Sequence, residues 1–306
     1  MPAPQHHAGA AHMSTPNPRI PFRLEGDSAA LAPFRGKRVV VNVAVNVEYW
    51  PFDQPMPRAI LPPPHGIRAV PDVPNFTWVE YGLRVGMKRL LDLCAALGIR
   101  ASNLSNAQIC THYPRLAEAM LAANWEFVGH GLYQKALATV EDDEAWVRES
   151  LSIMRGFSGQ PVRAWLGPGL SEKDTTPELL RRHGIDLLHD WLVDDEPVWM
   201  STADGPMVAL PYTVELNDVP VYVVANQASS ALADRIRDTL AFWSRSGFDR
   251  TRVMTIALHP HVIGVAHRME SFAAVMAELA RHPEVVFATS SEIGDWFTAQ
   301  RAAPGA

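Results

Sequence analysis

Cysteine is nearly missing. The 306 residues include two, Cys94 and Cys110, both in apolar surroundings and in neither a metal-binding nor a redox spacing. That excludes a disulfide scaffold and favours a reducing compartment. Long apolar runs are missing too. None reaches the roughly 18 residues of a membrane span, so no membrane partner is expected. Positive charge is the scarcer sign: 27 Lys and Arg against 33 Asp and Glu, for a net charge of -6. Without a Lys/Arg stripe, nucleic acid is not an expected partner. No GxGxxG or P-loop follows the first strand-like run, so those motifs give nucleotide binding no support. The opening residues lack a basic start followed by an apolar core and do not read as a signal peptide. The expectation is a cytoplasmic protein.

What is present is a globular composition, 47% hydrophobic and 20% charged, with 25 prolines and 9 tryptophans. The prolines imply stiff loops, and loops carry sites. Eight of them fall within residues 51–75, a segment long enough to be either functional or disordered. It is expected to cover the mouth of a pocket. Residues 1–36 read as a flexible leader, or an arm packing on a neighbouring subunit, with His6, His7 and His12 as incidental metal binders. Residues 37–300 read as one domain and 301–306 as a tail.

The run 39–48 is β-branched and apolar almost throughout, the pattern of a fully buried parallel strand. Strand-like and helix-like patterns then alternate about seven times. Helices are expected at 87–97, 107–122, 142–156, 176–183, 231–245, 269–281 and 291–298. Strands are expected between them, including 207–214 and 219–224 on either side of Glu215-Leu216-Asn217-Asp218. Such alternation implies a parallel sheet, open or closed into a barrel, whose strand C-termini share one edge.

The polar residues gather at those ends. The first run ends in Asn46 and Glu48, and a carboxylate on a buried strand is costly unless paired, metal-bound or facing a pocket. An apolar run stops at Gly129-His130-Gly131. Trp165 precedes Gly167-Pro168-Gly169, and another strand ends at His259-Pro260-His261. Arg84 precedes a helix, where it clamps an anion or pairs with a surface acid. Glu215 and Asp218 either orient His259 or Arg84 or pair with surface bases.

In order along the chain, Asn46-Val47-Glu48-Tyr49-Trp50, Tyr81-Gly82-Leu83-Arg84-Val85-Gly86, Gly129-His130-Gly131, Trp165-Leu166-Gly167-Pro168-Gly169, Glu215-Leu216-Asn217-Asp218 and Leu258-His259-Pro260-His261 resemble the polysaccharide deacetylase superfamily, in its allantoinase-like and cyclic-imide-hydrolase-like branch. The resemblance spans about residues 38–297. It implies an α/β fold, a distorted (β/α) barrel of about seven parallel strands, and hydrolysis of a C–N bond. Typical members carry paired aspartates where this chain has Val47-Glu48, and His-x-x-x-His where it has His130 and Gln134. They carry an arginine where it has Trp165. His259 resembles their general acid.

The resemblance therefore implies Glu48, His130 and His259 as catalytic residues, with Arg84 and Asn217 binding the oxyanion. Trp50, Trp165 and Tyr212 would wall the substrate, with Glu215, Asn217 and His261 beside it. A catalytic zinc usually takes three strong protein ligands. The matching positions supply only Glu48 and His130, so the cofactor is either a divalent metal such as zinc or none. The expected activity is a hydrolase opening a small cyclic imide or ureide. The alternatives are a metal-dependent N-deacetylase of an acetylated sugar or polysaccharide, and a non-catalytic binding protein. By analogy with relatives, a homo-oligomer, dimer or tetramer, is expected.

Overall fold

The nine residues of β1 (Val39–Val47) are all buried, because both faces of this strand are covered. The computed structural model describes residues 16–62, 66 and 69–303. β1 pairs in parallel with β8 (Arg252–Leu258) along one side, from Val39↔Arg252 to Val45↔Leu258. Its other side is shared. β9 (Val285–Phe287) takes the first half and β2 (Ser102–Ser105) the second. The sheet continues through β3 (Glu126–Gly129), β4 (Ala164–Trp165), β5 (Leu187–Leu188) and β7 (Met207–Ala209), all parallel. It ends with β6 (Val198–Met200), antiparallel to β7. A parallel bridge between Asn217 and Ala257 sets the segment after β7 against β8. The result is the expected distorted (β/α) barrel.

Side chains alternate across a strand. Val40 and Ala44 join Leu104, Val128, Ala164, Leu187, Val208 and Ala257 in one apolar cluster inside the curl. Val39, Val41, Val43, Val45 and Val47 pack outward under the helices. The same period sends Asn42, Asn46 and Glu48 inward. The interior therefore turns from apolar to polar toward the strand C-termini.

The helices follow their sequence signals. α2 (Met87–Leu97) ends at Gly98, in the left-handed region at φ 65°. α7 (Ala231–Arg245) and α8 (Ala266–Arg281) carry apolar stripes onto the sheet. α9 (Ser290–Thr298) starts with a Thr289–Glu292 capping box. Its first amides also hold a buried carboxylate: Glu126 accepts from Ser290 N at 2.7 Å and Ser291 N at 2.8 Å. Negative charge is favourable at a helix N-terminus, and this one pins α9 to the gap where β9 gives way to β2.

Four expectations need correction. Residues 219–224 are a π-helical turn, Val219–Val224, because Pro220 cannot donate to a strand ladder. Residues 107–122 form two helices, α3 (Gln108–His112) and α4 (Pro114–Ala122), since Pro114 starts a new one. The proline-rich segment ends early, in α1 (Val73–Tyr81), whose first turn Asp72 caps. The leader is not free from residue 16 on. Arg19 pairs with Glu178 at 2.6 Å, and Leu31 and Phe34 are buried. Residues 1–15, with the three histidines, lie outside the described residues.

Candidate active site

β1 and β8 deliver two of the groups. Their register sets Val45 opposite Leu258, so Glu48 and His259 emerge side by side, 3 and 6% exposed. Glu48 Oε1 lies 3.5 Å from His259 Nε2. Its Oε2 accepts from Trp50 Nε1 at 2.8 Å. On the far side of the imidazole, His259 Nδ1 donates to Asp218 Oδ1 at 2.7 Å. The other Asp218 oxygen accepts from the backbone of His259 at 2.7 Å and of Ile263 at 3.1 Å.

His130 follows β3. The β2 tip joins it to β1: Asn106 Oδ1 accepts from Tyr49 N at 2.7 Å, and its Nδ2 donates to the His130 carbonyl. His130 Nδ1 donates to the Leu166 carbonyl, just beyond β4, at 2.6 Å. Its Nε2 is buried without a partner. In the neutral ring that nitrogen is a bare acceptor.

Burial alone would neutralise all of these groups. For His259 burial is outweighed by the charge and hydrogen bond of Asp218, then by Glu48, and its pKa is pushed up to about 9. For Glu48 burial is likewise outweighed by His259, with smaller help from His261 and His130, and its pKa falls well below the carboxylate range. For His130 burial wins over the charge of Glu48 and the pKa falls. At neutral pH the site thus holds an imidazolium between two carboxylates, with a neutral imidazole nearby.

Tyr212 completes the wall. Its oxygen accepts from Asn217 Nδ2 at 3.1 Å and Asn46 Nδ2 at 3.4 Å. Burial pushes its pKa up, so its own O–H stays available to donate. Glu48, His130, Tyr212, Asn217 and His259 line one cavity of about 140 Å³. Glu48, Gln134, Arg58 and Gly169 also border an outer cavity of about 400 Å³, walled by Trp50 and Pro51.

Four expected site residues line neither cavity. Arg84 is exposed and borders a separate surface groove with His112 and Leu116. The Tyr81–Gly86 motif matters here through its glycines. A Cβ at Gly82 would overlap the His261 backbone, and one at Gly86 the Pro260 carbonyl. Trp165 is a core residue packed on Gly129, where a Cβ would overlap its ring. Glu215 is exposed, and its carbonyl accepts from Arg235 at 3.0 Å. His261 stands one layer back, its ring 4.5 Å from Trp78 and 5.8 Å from Trp50. Sequence reasoning weighed Asp218 only as one option among several and passed over Arg58. The signal for Asp218 was its place at the tip beside His259. Arg58 offered none beyond the proline-rich loop.

The donors do not fit the zinc that the resemblance implies. Gln134 is an amide where a second histidine would stand, and both oxygens of Glu48 already face Trp50 and His259. Among the described residues no group of three or more His, Cys, Asp or Glu is arranged to hold a metal ion.

No protein-family model and no curated protein matches the sequence. Solved structures do. A probable polysaccharide deacetylase from Pseudomonas aeruginosa PAO1 is 22% identical with a TM-score of 0.74, over 87% of this chain and 92% of that one. Puue allantoinase is 20% identical with a TM-score of 0.76, over 87% of this chain and 92% of that one. At such identities the likeness is one of fold, and the chain has the distorted (β/α) barrel of these polysaccharide deacetylase and allantoinase structures.

Proposed function

We propose that the protein hydrolyses a C–N bond in a small cyclic amide of the imide or ureide type. The observation that carries this reading is His259, held as an imidazolium between Asp218 and Glu48 and lining one cavity with His130, whose Nε2 has no hydrogen-bond partner among the described residues.

Each group has a part. His130 Nε2 accepts a hydrogen bond from the attacking water and orients it. Glu48 takes that water's proton, and the oxygen adds to the amide carbonyl. The Tyr212 hydroxyl, with Asn217 behind it, donates to the developing oxyanion. This is the part expected of Arg84. His259 gives its Nε2 proton to the leaving nitrogen as the C–N bond breaks. The two proton transfers are coupled. The low pKa of Glu48 rests on the charged His259. As the His259 proton moves onto the substrate nitrogen that charge is lost, burial raises the carboxylate's pKa, and Glu48 takes the water's proton in the same step. The proton then returns from Glu48 to His259 across their 3.5 Å contact, and the cycle closes.

The test is hydrolysis of a panel of hydantoin, dihydrouracil and succinimide by wild type, Glu48→Gln and His259→Ala. Ring opening that falls by about 10²–10⁴-fold in each variant supports the reading. Turnover that survives in both contradicts it.

A further inference from the structure

Two cations border the outer cavity and are matched by no anion among the described residues. Arg58 lines both cavities and Lys135 the outer one. Both side chains belong to half-buried residues. Neither makes an ion pair or hydrogen bond among the described residues, although other half-buried arginines do: Arg19 with Glu178, Arg163 with Asp186 and Arg250 with Glu196. The one acid lining the cavities, Glu48, is already bound to Trp50 and faces His259. Arg58 is near enough for its charge to help depress the pKa of His261, after the larger effect of burial.

A partly desolvated guanidinium without a counter-ion is costly, and its planar fork matches a carboxylate. Counting the charged groups around the cavities, Glu48 and Asp218 offset His259 and one further cation, leaving one positive charge over. The outer cavity, at about 400 Å³, is within the range of small-molecule sites.

We propose that Arg58, assisted by Lys135, binds a carboxylate on the substrate, so that the preferred substrate is a cyclic amide bearing a pendant carboxylate away from the scissile bond. The identity of the ring as an amide rests on the hydrolase reading; the carboxylate subsite does not.

The probes are hydantoin-5-acetic acid and its neutral parent hydantoin. Binding is measured by calorimetry in the Glu48→Gln background, so that turnover does not consume them, with and without Arg58→Ala. The acid is expected to bind about tenfold or more tighter than hydantoin. Arg58→Ala should abolish that preference and leave hydantoin binding unchanged, and Lys135→Ala should weaken it in part. Unchanged thermal midpoints show that the variants are folded. Equal binding of acid and parent overturns the subsite, as does a preference that survives Arg58→Ala. Displacement of the acid by an equal concentration of inorganic phosphate marks a general anion site and overturns the carboxylate assignment. Since binding is read without turnover, failure of the ring-opening panel would sink the hydrolase reading alone.

Discussion

His259 stands between two carboxylates, Asp218 Oδ1 at 2.7 Å from Nδ1 and Glu48 Oε1 at 3.5 Å from Nε2. Only the second faces the cavity. Asp218 therefore sets the charge and tautomer of the ring, and in the proposed mechanism Glu48 exchanges protons with it. Acid catalysis needs the imidazolium, whose pKa is pushed up to about 9, so kcat/KM should fall as pH rises through that value. Asp218→Asn removes the largest effect that raises it. The alkaline limb should move to lower pH, and the rate at pH 7 should drop by about a hundredfold. A pH profile of ring opening checks both.

Tyr212→Phe keeps the ring and removes only the hydroxyl that Asn217 and Asn46 orient. The expected loss is about 10²-fold in kcat with little change in KM, since the hydrogen bond strengthens as the oxyanion forms. A loss confined to KM would make Tyr212 a binding residue.

The Tyr81–Gly86 motif separates two readings. Arg84→Ala should leave activity within about twofold of wild type, as for most exposed substitutions. Gly86→Ala puts a methyl group against the Pro260 carbonyl. It should destabilise the protein by about 1–3 kcal/mol and lower activity by shifting the turn that carries His259. Thermal melts with initial rates distinguish the two.

Much of this was legible in the sequence, and the failures share a cause. β1, β8, α2 and α7 have patterns whose period matches their burial, so local sequence and tertiary contact agree. The residues at the ends of β1 and β8 were readable because polar groups on buried strands are conspicuous. Val219–Val224 looked like a strand by composition, but tertiary context and Pro220 coil it over Asp218. The neighbours of Arg84 make it read as an anion clamp, whereas those flanking glycines themselves carry the contact with Pro260 and His261. Trp165 was placed in the pocket by its glycine neighbours, and Gly129 opens room for it in the core instead. These depend on which surfaces meet, which spacing along one chain does not encode.

A half-buried acid pair outside the catalytic cavity predicts a pH effect on stability. Asp190 accepts from Gly167 N with both oxygens at 2.9 Å, and Glu172 beside it accepts from Trp191 Nε1 at 3.2 Å. Burial pushes both pKa values up, and for Asp190 the charge of Glu172 adds to it. A raised folded pKa means that the stabilising state is the protonated one, fully present below the unfolded pKa and lost as pH rises through the folded value. Glu172→Gln mimics the neutral acid. Its thermal midpoint should exceed that of wild type at pH 8 and converge with it at pH 4.

The account rests on acid–base hydrolysis by Glu48 and His259 without a protein-bound metal, and the most direct measurement is ring opening of the cyclic amide panel before and after exhaustive chelation, in wild type and in Glu48→Gln and His259→Ala. The prediction is turnover that survives chelation and falls by about a hundredfold or more in each variant. Turnover abolished by chelation and restored by zinc, or undiminished in either variant, would contradict it.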